Sequence, residues 1–308
     1  MRSTAFARRG RRSERRPFTR LSPLLYLGGE VLLFALLVLA PVQAAESPRL
    51  VTVGGDVTEI AYALGAGDQV VAADTSSVYP AAAAALPKVG YQRQLAAEGV
   101  LALTPTLVLV SDEAGPPTTL AQLRDAGMRV EVIEGDDSQQ GAAQKVRRIA
   151  AQLHREAAGE ALISAMQTSL AAAADERARA KTAPRVLFIY ARGAGTVMVA
   201  GRTTPADAMI TLAGARNAIE EFDGFKPLTA AAVVAAQPDV VLMLSRGVDS
   251  LGGAAAIWTQ PGLAQTPAAA VHRLVTMDDL YLLGFGPRLG EAVRDLARQL
   301  HPELAAAP

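Results

Sequence analysis

Two seventeen-residue segments, LAAEGVLALTPTLVLVS from Leu95 and LTAAAVVAAQPDVVLML from Leu228, align without gaps and are identical at seven positions. Each reads as an alanine-rich helix, then a proline, then a Val/Leu run of the kind that forms a strand covered on both faces. Residue identities alone make a weak match, because alanine and valine recur throughout the chain. The shared proline and the equivalent placement make the pair informative, and they predict two related structural units.

The surrounding pattern agrees. Strands are expected at Arg49 to Gly54, Thr106 to Val110 and Arg129 to Ile133, with helices at Asp56 to Leu64 and Thr118 to Gly127. After Ala183 the alternation restarts, with strands at Arg185 to Tyr190 and Val240 to Leu244 and helices at Pro205 to Ala213 and Pro287 to Leu300. Strands feeding helices predict an α/β fold with parallel-type sheets. Between the two halves, Ala157 to Lys181 holds no proline and only Gly159, and is otherwise dominated by strong helix formers. One helix of about 37 Å is expected there, at 1.5 Å per residue. A surface helix on one large domain is the alternative; the repeat on either side favours a bridge. The expected organisation is an N-terminal lobe over residues 48–156, a bridging helix over 157–182 and a C-terminal lobe over 184–303, with a ligand cleft between the lobes.

Residues 1–44 carry eight arginines up to Arg20, the apolar run VLLFALLVLA and the small-residue ending Val42-Gln43-Ala44. These are the three regions of a secretory signal peptide. The apolar run falls short of the roughly 20 residues that cross a bilayer. The string from Glu14 to Arg20 approaches a twin-arginine export signal, so the export route stays open. Without cysteine, the chain has neither a disulfide nor the lipid-modified cysteine of anchored binding proteins. The expectation is a soluble, unanchored periplasmic monomer. Beyond residue 44, basic residues fall to 22 (30 − 8) and acidic ones to 28 (30 − 2), a net charge of −6. Nucleic acid is therefore not an expected partner.

Enzymatic signatures are missing. His154, His272 and His301 stand alone, with no second histidine three to five residues away. There is no Gly-x-Ser-x-Gly elbow and no phosphate-binding loop, and the pairs Gly65/Gly67 and Gly193/Gly195 lack the rest of a dinucleotide fingerprint. What remains is Pro87-Lys88-Val89-Gly90-Tyr91-Gln92-Arg93-Gln94-Leu95, a loop leading into a helix. Loops at element ends commonly form cleft rims. A phenol is protonated at neutral pH, but ferric iron favours the phenolate, and a guanidinium two residues away in extended chain helps to hold that charge. Tyrosine is a known axial ligand of haem iron. Taken alone, a loop tyrosine is more often a half-buried packing residue than a ligand.

The whole string is more specific. Together with VTVGGDVTEIAYALGAG from Val51, AGRTTPADAMITLAGA from Ala200, GFKPLT from Gly224 and DDLYLLGFGPR from Asp278, the segment VGYQRQLAAEGVLALTPTLVLVS from Val89 resembles the haem-binding subunits of bacterial haem importers. These belong to the long-helix class of periplasmic binding proteins. The helix-proline-strand elements are shared with siderophore and corrinoid carriers, whereas Gly-Tyr-x-Arg-x-Leu and Leu-Gly-Phe-Gly are the narrower signature. The resemblance implies that Tyr91 ligates ferric haem and that Arg93 partners its phenolate. It also implies delivery to an inner-membrane ABC transporter permease, with Glu98 as a docking carboxylate. Glu98's counterpart in the second repeat is Ala231, which departs from the family's acidic pair. Arg192 and Arg246 follow strands of the second lobe and are candidates for a haem propionate or the phenolate, with solvated loop arginines as the plain alternative. Some family members that accept two stacked haems place a histidine near Arg192, so by the resemblance an arginine there favours one haem. Tyr281, Trp258, Met198 and Met209 are read as packing residues first. The competing functions are a ferric siderophore or corrinoid carrier on the same fold and, more remotely, a periplasmic metal-dependent enzyme.

Overall fold

The computed structural model describes residues 48–193 and 197–305, so the signal peptide expected at 1–44 lies outside the described residues. In chain order the first half contains β1 (Leu50–Val53), α1 (Gly55–Ala63), β2 (Val70–Ala73), α2 (Ala97–Leu101), β3 (Leu107–Ser111), α3 (Pro117–Asp125), β4 (Val130–Ile133) and α4 (Gln139–Gln152). A long helix, α5 (Glu156–Arg177), leads to β5 (Arg185–Tyr190), β6 (Met198–Ala200), α6 (Pro205–Leu212), β7 (Arg216–Asn217) and β8 (Phe225–Pro227). Then come α7 (Ala230–Ala236), β9 (Val240–Leu244), α8 (Ser245–Ser250), β10 (Leu274–Met277), α9 (Asp279–Leu283) and α10 (Leu289–Leu300).

The strands form two sheets. The first has the order β2-β1-β3-β4 and is parallel throughout. The second has the order β10-β9-β5-β6-β8, with β7 also pairing β5. Its β10, β9 and β5 are parallel, whereas β6 and β8 add an antiparallel edge that the sequence pattern did not reveal. The reason is compositional: MVA and FKP are each three residues long, too short to display a period of two.

The repeat holds at the level of the backbone. The helices α2 and α7 begin at equivalent positions, as do β3 and β9. Thr104 (φ 44°) and Gln237 (φ 42°), also equivalent, both turn left-handed just before the shared proline. A left-handed residue ends the helical path, and the proline that follows cannot restore it.

Side-chain alternation along the strands divides the core in three. Leu50, Leu109, Val186, Phe188, Val240 and Leu242 face a cluster shared by both sheets and α5. Their neighbours Val51, Val108 and Val110 face helices of the first lobe, while Leu187, Ile189, Val241 and Met243 face those of the second. On α5 the buried positions Gly159, Ile163, Met166, Leu170 and Ala173 recur at alternating steps of four and three, a single apolar stripe. At 22 residues the helix is about 33 Å long. It packs between α4 and α10 along their lengths. Close approach depends on glycine: a Cβ on Gly290 of α10 would lie 2.5 Å from Ser169 Oγ, and one on Gly159 would lie 2.7 Å from Ala150 Cβ. The helix joining the lobes is thus a packed spine. No helix among the described residues is long and apolar enough to cross a membrane.

Candidate functional site

Parallel strands place their carboxyl ends, and the loops that follow, along one edge of a sheet, where ligands commonly bind. Here the two edges face each other across a cleft of about 830 Å³. Its walls include Gly55 after β1, Ser111 and Glu113 at the end of β3, Gly135 after β4, Tyr190 at the end of β5, Leu244 at the end of β9 and Asp279 after β10.

Tyr91 lies half-buried on this cleft, in extended backbone just before a short turn at Gln92–Gln94. The turn is tied to the segment after β3, because Leu95 N donates to Gly115 O and Gly115 N donates to Gln92 O. Buried Leu95 anchors it from below, with its carbonyl accepting from Thr119 Oγ1 at 3.0 Å. A loop held this way presents Tyr91 on a fixed base.

Two guanidinium groups meet at the phenol oxygen. Arg93 Nη1 and Arg192 Nη1 each donate to Tyr91 Oη at 3.2 Å, one from each lobe. Arg192 also stacks on the ring, its Cζ lying 4.7 Å from the centroid. The other terminal nitrogen of Arg93 is 2.6 Å from Glu113 Oε2. Burial alone lowers the pKa of Arg93, but its bonds to Glu113 and Tyr91 outweigh that and hold it above the usual value.

Sequence reasoning named Tyr91, Arg93, Arg192 and Arg246, and all four line the same cleft. Their partners differ. Arg246 Nε is 3.5 Å from Asp279 Oδ2, so its guanidinium faces a carboxylate and not the phenol. Glu98 is exposed on α2 and lies outside the cleft lining. Met198 lines the cleft, Met209 is fully buried in the shared core, and Trp258 packs in the second-lobe core. Tyr281 donates its hydroxyl to Asp295 at 2.8 Å, away from the cleft. None of the three histidines lines the cleft.

Two features escaped the sequence. One is an apolar wall in the second lobe, where Phe225, 39% exposed, packs edge-on against Tyr190 with centroids 6.0 Å apart and Met198 alongside in the cleft. Phe225 belongs to an edge strand without a readable pattern, so nothing local marked it as a wall. The other is a group of carboxylates, Asp112, Glu113, Asp136 and Asp137, gathered from the loops after β3 and β4. They are distant in sequence, and only the parallel register of β3 and β4 brings them together.

Asp137 records that crowding. Its residue as a whole is exposed, yet the cleft walls partly desolvate its carboxyl, and Asp112, Glu113 and Asp136 add repulsion against the pull of Lys145. The result is a carboxyl pushed up to about 6 from 3.8. A folded-state pKa above the unfolded one means the folded protein holds this proton longer, so its contribution to stability is full below about 3.8 and is lost as pH rises towards about 6. We expect Asp137→Asn to be more stable than the wild type by on the order of 1 kcal/mol above pH 6, after discounting for solvent screening, with the gain vanishing near pH 4. Urea unfolding at both pH values tests this; a gain that is the same at both would show that charge is not its source.

Two α/β lobes on a helical spine, with a cleft at facing strand ends, define a two-lobed ligand-binding protein. The family model described as "Periplasmic binding protein" matches residues 50–281, and the chain belongs to that family. Among solved structures it is similar to the periplasmic heme-binding protein RhuT from Roseiflexus sp. RS-1, at 45% identity and a TM-score of 0.82, over 84% of this chain and 99% of that one. It is equally identical, 45%, to the periplasmic heme-binding protein BhuT in complex with two hemes, with a TM-score of 0.79 over 83% of this chain and 98% of that one. A curated relative, the ABC transporter substrate-binding lipoprotein YvrC of Bacillus subtilis, is 28% identical over 84% of this chain and 81% of its own length.

Proposed function

We propose that this protein is a periplasmic carrier of ferric haem that delivers it to an inner-membrane ABC transporter permease, with Tyr91 as the iron ligand. The observation that carries this reading is the phenol oxygen held at 3.2 Å by two guanidinium groups on the wall of an interlobe cleft. An oxygen bonded to ferric iron bears phenolate charge, and Arg93 and Arg192 are placed to offset it. Phe225, Tyr190, Met198, Leu244, Leu280 and Leu283 offer the apolar surface that a porphyrin face needs. In this reading Arg246 exchanges its contact with Asp279 for a propionate on binding.

The carrier itself breaks no covalent bond, in keeping with a family of substrate-binding transport proteins. Exposed Glu98 is the proposed docking carboxylate on the first lobe. We further propose lobe boundaries of 48–156 and 184–303 on either side of the spine, cleavage of residues 1–44 on export, and a soluble monomer.

An optical titration of the purified protein with ferric haem tests the function. We expect saturation with a phenolate-to-iron charge-transfer band. A protein that gives no visible change with haem, and binds a corrinoid or a ferric siderophore instead, would overturn the assignment and leave the fold's other ligand classes. The equivalence at saturation tests the single-haem expectation drawn from Arg192, because the similar BhuT structure contains two hemes.

A further inference from the structure

The two arginines on Tyr91 are not equivalent. Arg93 directs one terminal nitrogen to the phenol at 3.2 Å and the other to Glu113 at 2.6 Å. Glu113 Oε2 also accepts from Gln92 Nε2 at 3.3 Å, and Gln92 Oε1 in turn accepts from Ser111 Oγ at 3.3 Å. The chain of contacts runs from the end of β3 through Glu113 and Arg93 to the phenol. Arg192, by contrast, makes no ion pair among the described residues; its guanidinium donates to Tyr91 Oη and stacks on the same ring.

We infer that Glu113 is a positioning residue for the proposed haem site, setting through Arg93 how much positive charge reaches the Tyr91 oxygen. A carboxylate on the far side of a guanidinium draws off part of its field while fixing its orientation. Outer partners of a metal ligand tune the ligand's donor strength in this way. With Glu113 in place, the phenolate faces one cation paired directly with a carboxylate and one without such a pair among the described residues, and it remains a stronger donor to iron than it would beside two bare arginines. The Glu113 and Arg93 side chains are 54% and 49% exposed, so the pair contributes little to folding, and its removal is expected to leave the protein folded.

The inference rests on the haem reading, and the test separates the two. Glu113→Gln keeps the shape and a hydrogen-bond acceptor but removes the charge, so Arg93 acts on the phenolate in full. The phenolate-to-iron charge-transfer band is then expected at shorter wavelength than in the wild type, because a better-stabilised phenolate needs more energy to give up an electron. Glu113→Asp, which keeps the charge, should restore the band close to its original position. In an Arg93→Gln background, Glu113→Gln should move the band no further, as a double-mutant cycle requires of a residue acting through another. A band that stays put in Glu113→Gln, or that shifts equally without Arg93, overturns the positioning role while haem binding stands. A wild type without the band sinks both.

Discussion

Replacing Tyr91 with alanine is expected to abolish the phenolate-to-iron charge-transfer band and to weaken ferric haem binding by roughly a hundredfold, about 2.7 kcal/mol. Binding falls without disappearing, because the cleft keeps the apolar faces of Phe225, Tyr190 and Leu280 and the guanidinium groups of Arg192 and Arg246. That division supplies its own control. Iron-free protoporphyrin makes the apolar and propionate contacts but offers no iron to ligate, so wild type and Tyr91→Ala should bind it with affinities within a few-fold. Tyr91→Phe should behave as the alanine variant does towards haem, since it restores the ring and not the oxygen. If either variant keeps the wild-type spectrum with haem, another residue is the axial ligand. If both lose haem and protoporphyrin alike, Tyr91 supports the cleft wall and does not hold the iron.

The second large effect is expected far from that oxygen. Glu59 on α1, 4% exposed, accepts a bidentate pair from Arg288 just ahead of α10, with Nε to Oε1 at 2.8 Å and Nη2 to Oε2 at 2.7 Å. The guanidinium also stacks on Tyr79, with Cζ 3.6 Å from the ring centroid, and reaches Tyr281 at 4.9 Å. Burial disfavours the charge on Arg288, but the carboxylate beside it holds its pKa above the usual value. The buried partner is Glu59, its side chain 5% exposed against 22% for Arg288, so it is Arg288→Met that leaves a buried charge alone and should cost about 3–5 kcal/mol in urea unfolding. Removing both charges with apolar residues of similar size, Glu59→Leu with Arg288→Met, should recover most of that loss. A single substitution costing under about 1 kcal/mol would mean that the pair is solvated and does not tie the lobes.

A second cross-lobe tie lies nearby. Lys145 on α4 is almost fully buried, and its Nζ reaches Asp56 Oδ2 at 2.8 Å and Gly284 O at 2.9 Å. With the spine helix behind them, these contacts favour small hinge movements of the lobes over wide opening. Release of ligand to a transporter would then depend on force applied by the partner.

Much of this architecture was legible in the chain. Strands β5 and β9 were bounded correctly to the residue, because their Val/Leu-rich runs are flanked by proline and polar residues. The run of helix formers predicts the spine over 157–182, and the helix spans Glu156–Arg177, ending before Pro184. Helix α4 has no counterpart among the expected helices, although its buried Ala142, Val146 and Ile149 recur at steps of four and three, the helical signal in that stretch. Strands β2 and β10 are four residues each, and their short apolar runs did not stand out beside the alanine-rich helices.

What the sequence determined by itself was every feature written in local order: the helical and strand periods, the proline that follows each repeat helix, and the Gly-Tyr-x-Arg spacing that puts Tyr91 and Arg93 side by side. Tertiary structure alone decided which distant groups meet them. Arg192 reaches the same oxygen from the other lobe, Glu113 takes half of Arg93, and Asp279 takes Arg246. Such pairings depend on strand order and on the angle between lobes, which are set by packing over the whole shared core. Local spacing holds no record of that angle, because it arises only when both apolar sheet faces close on the same helix.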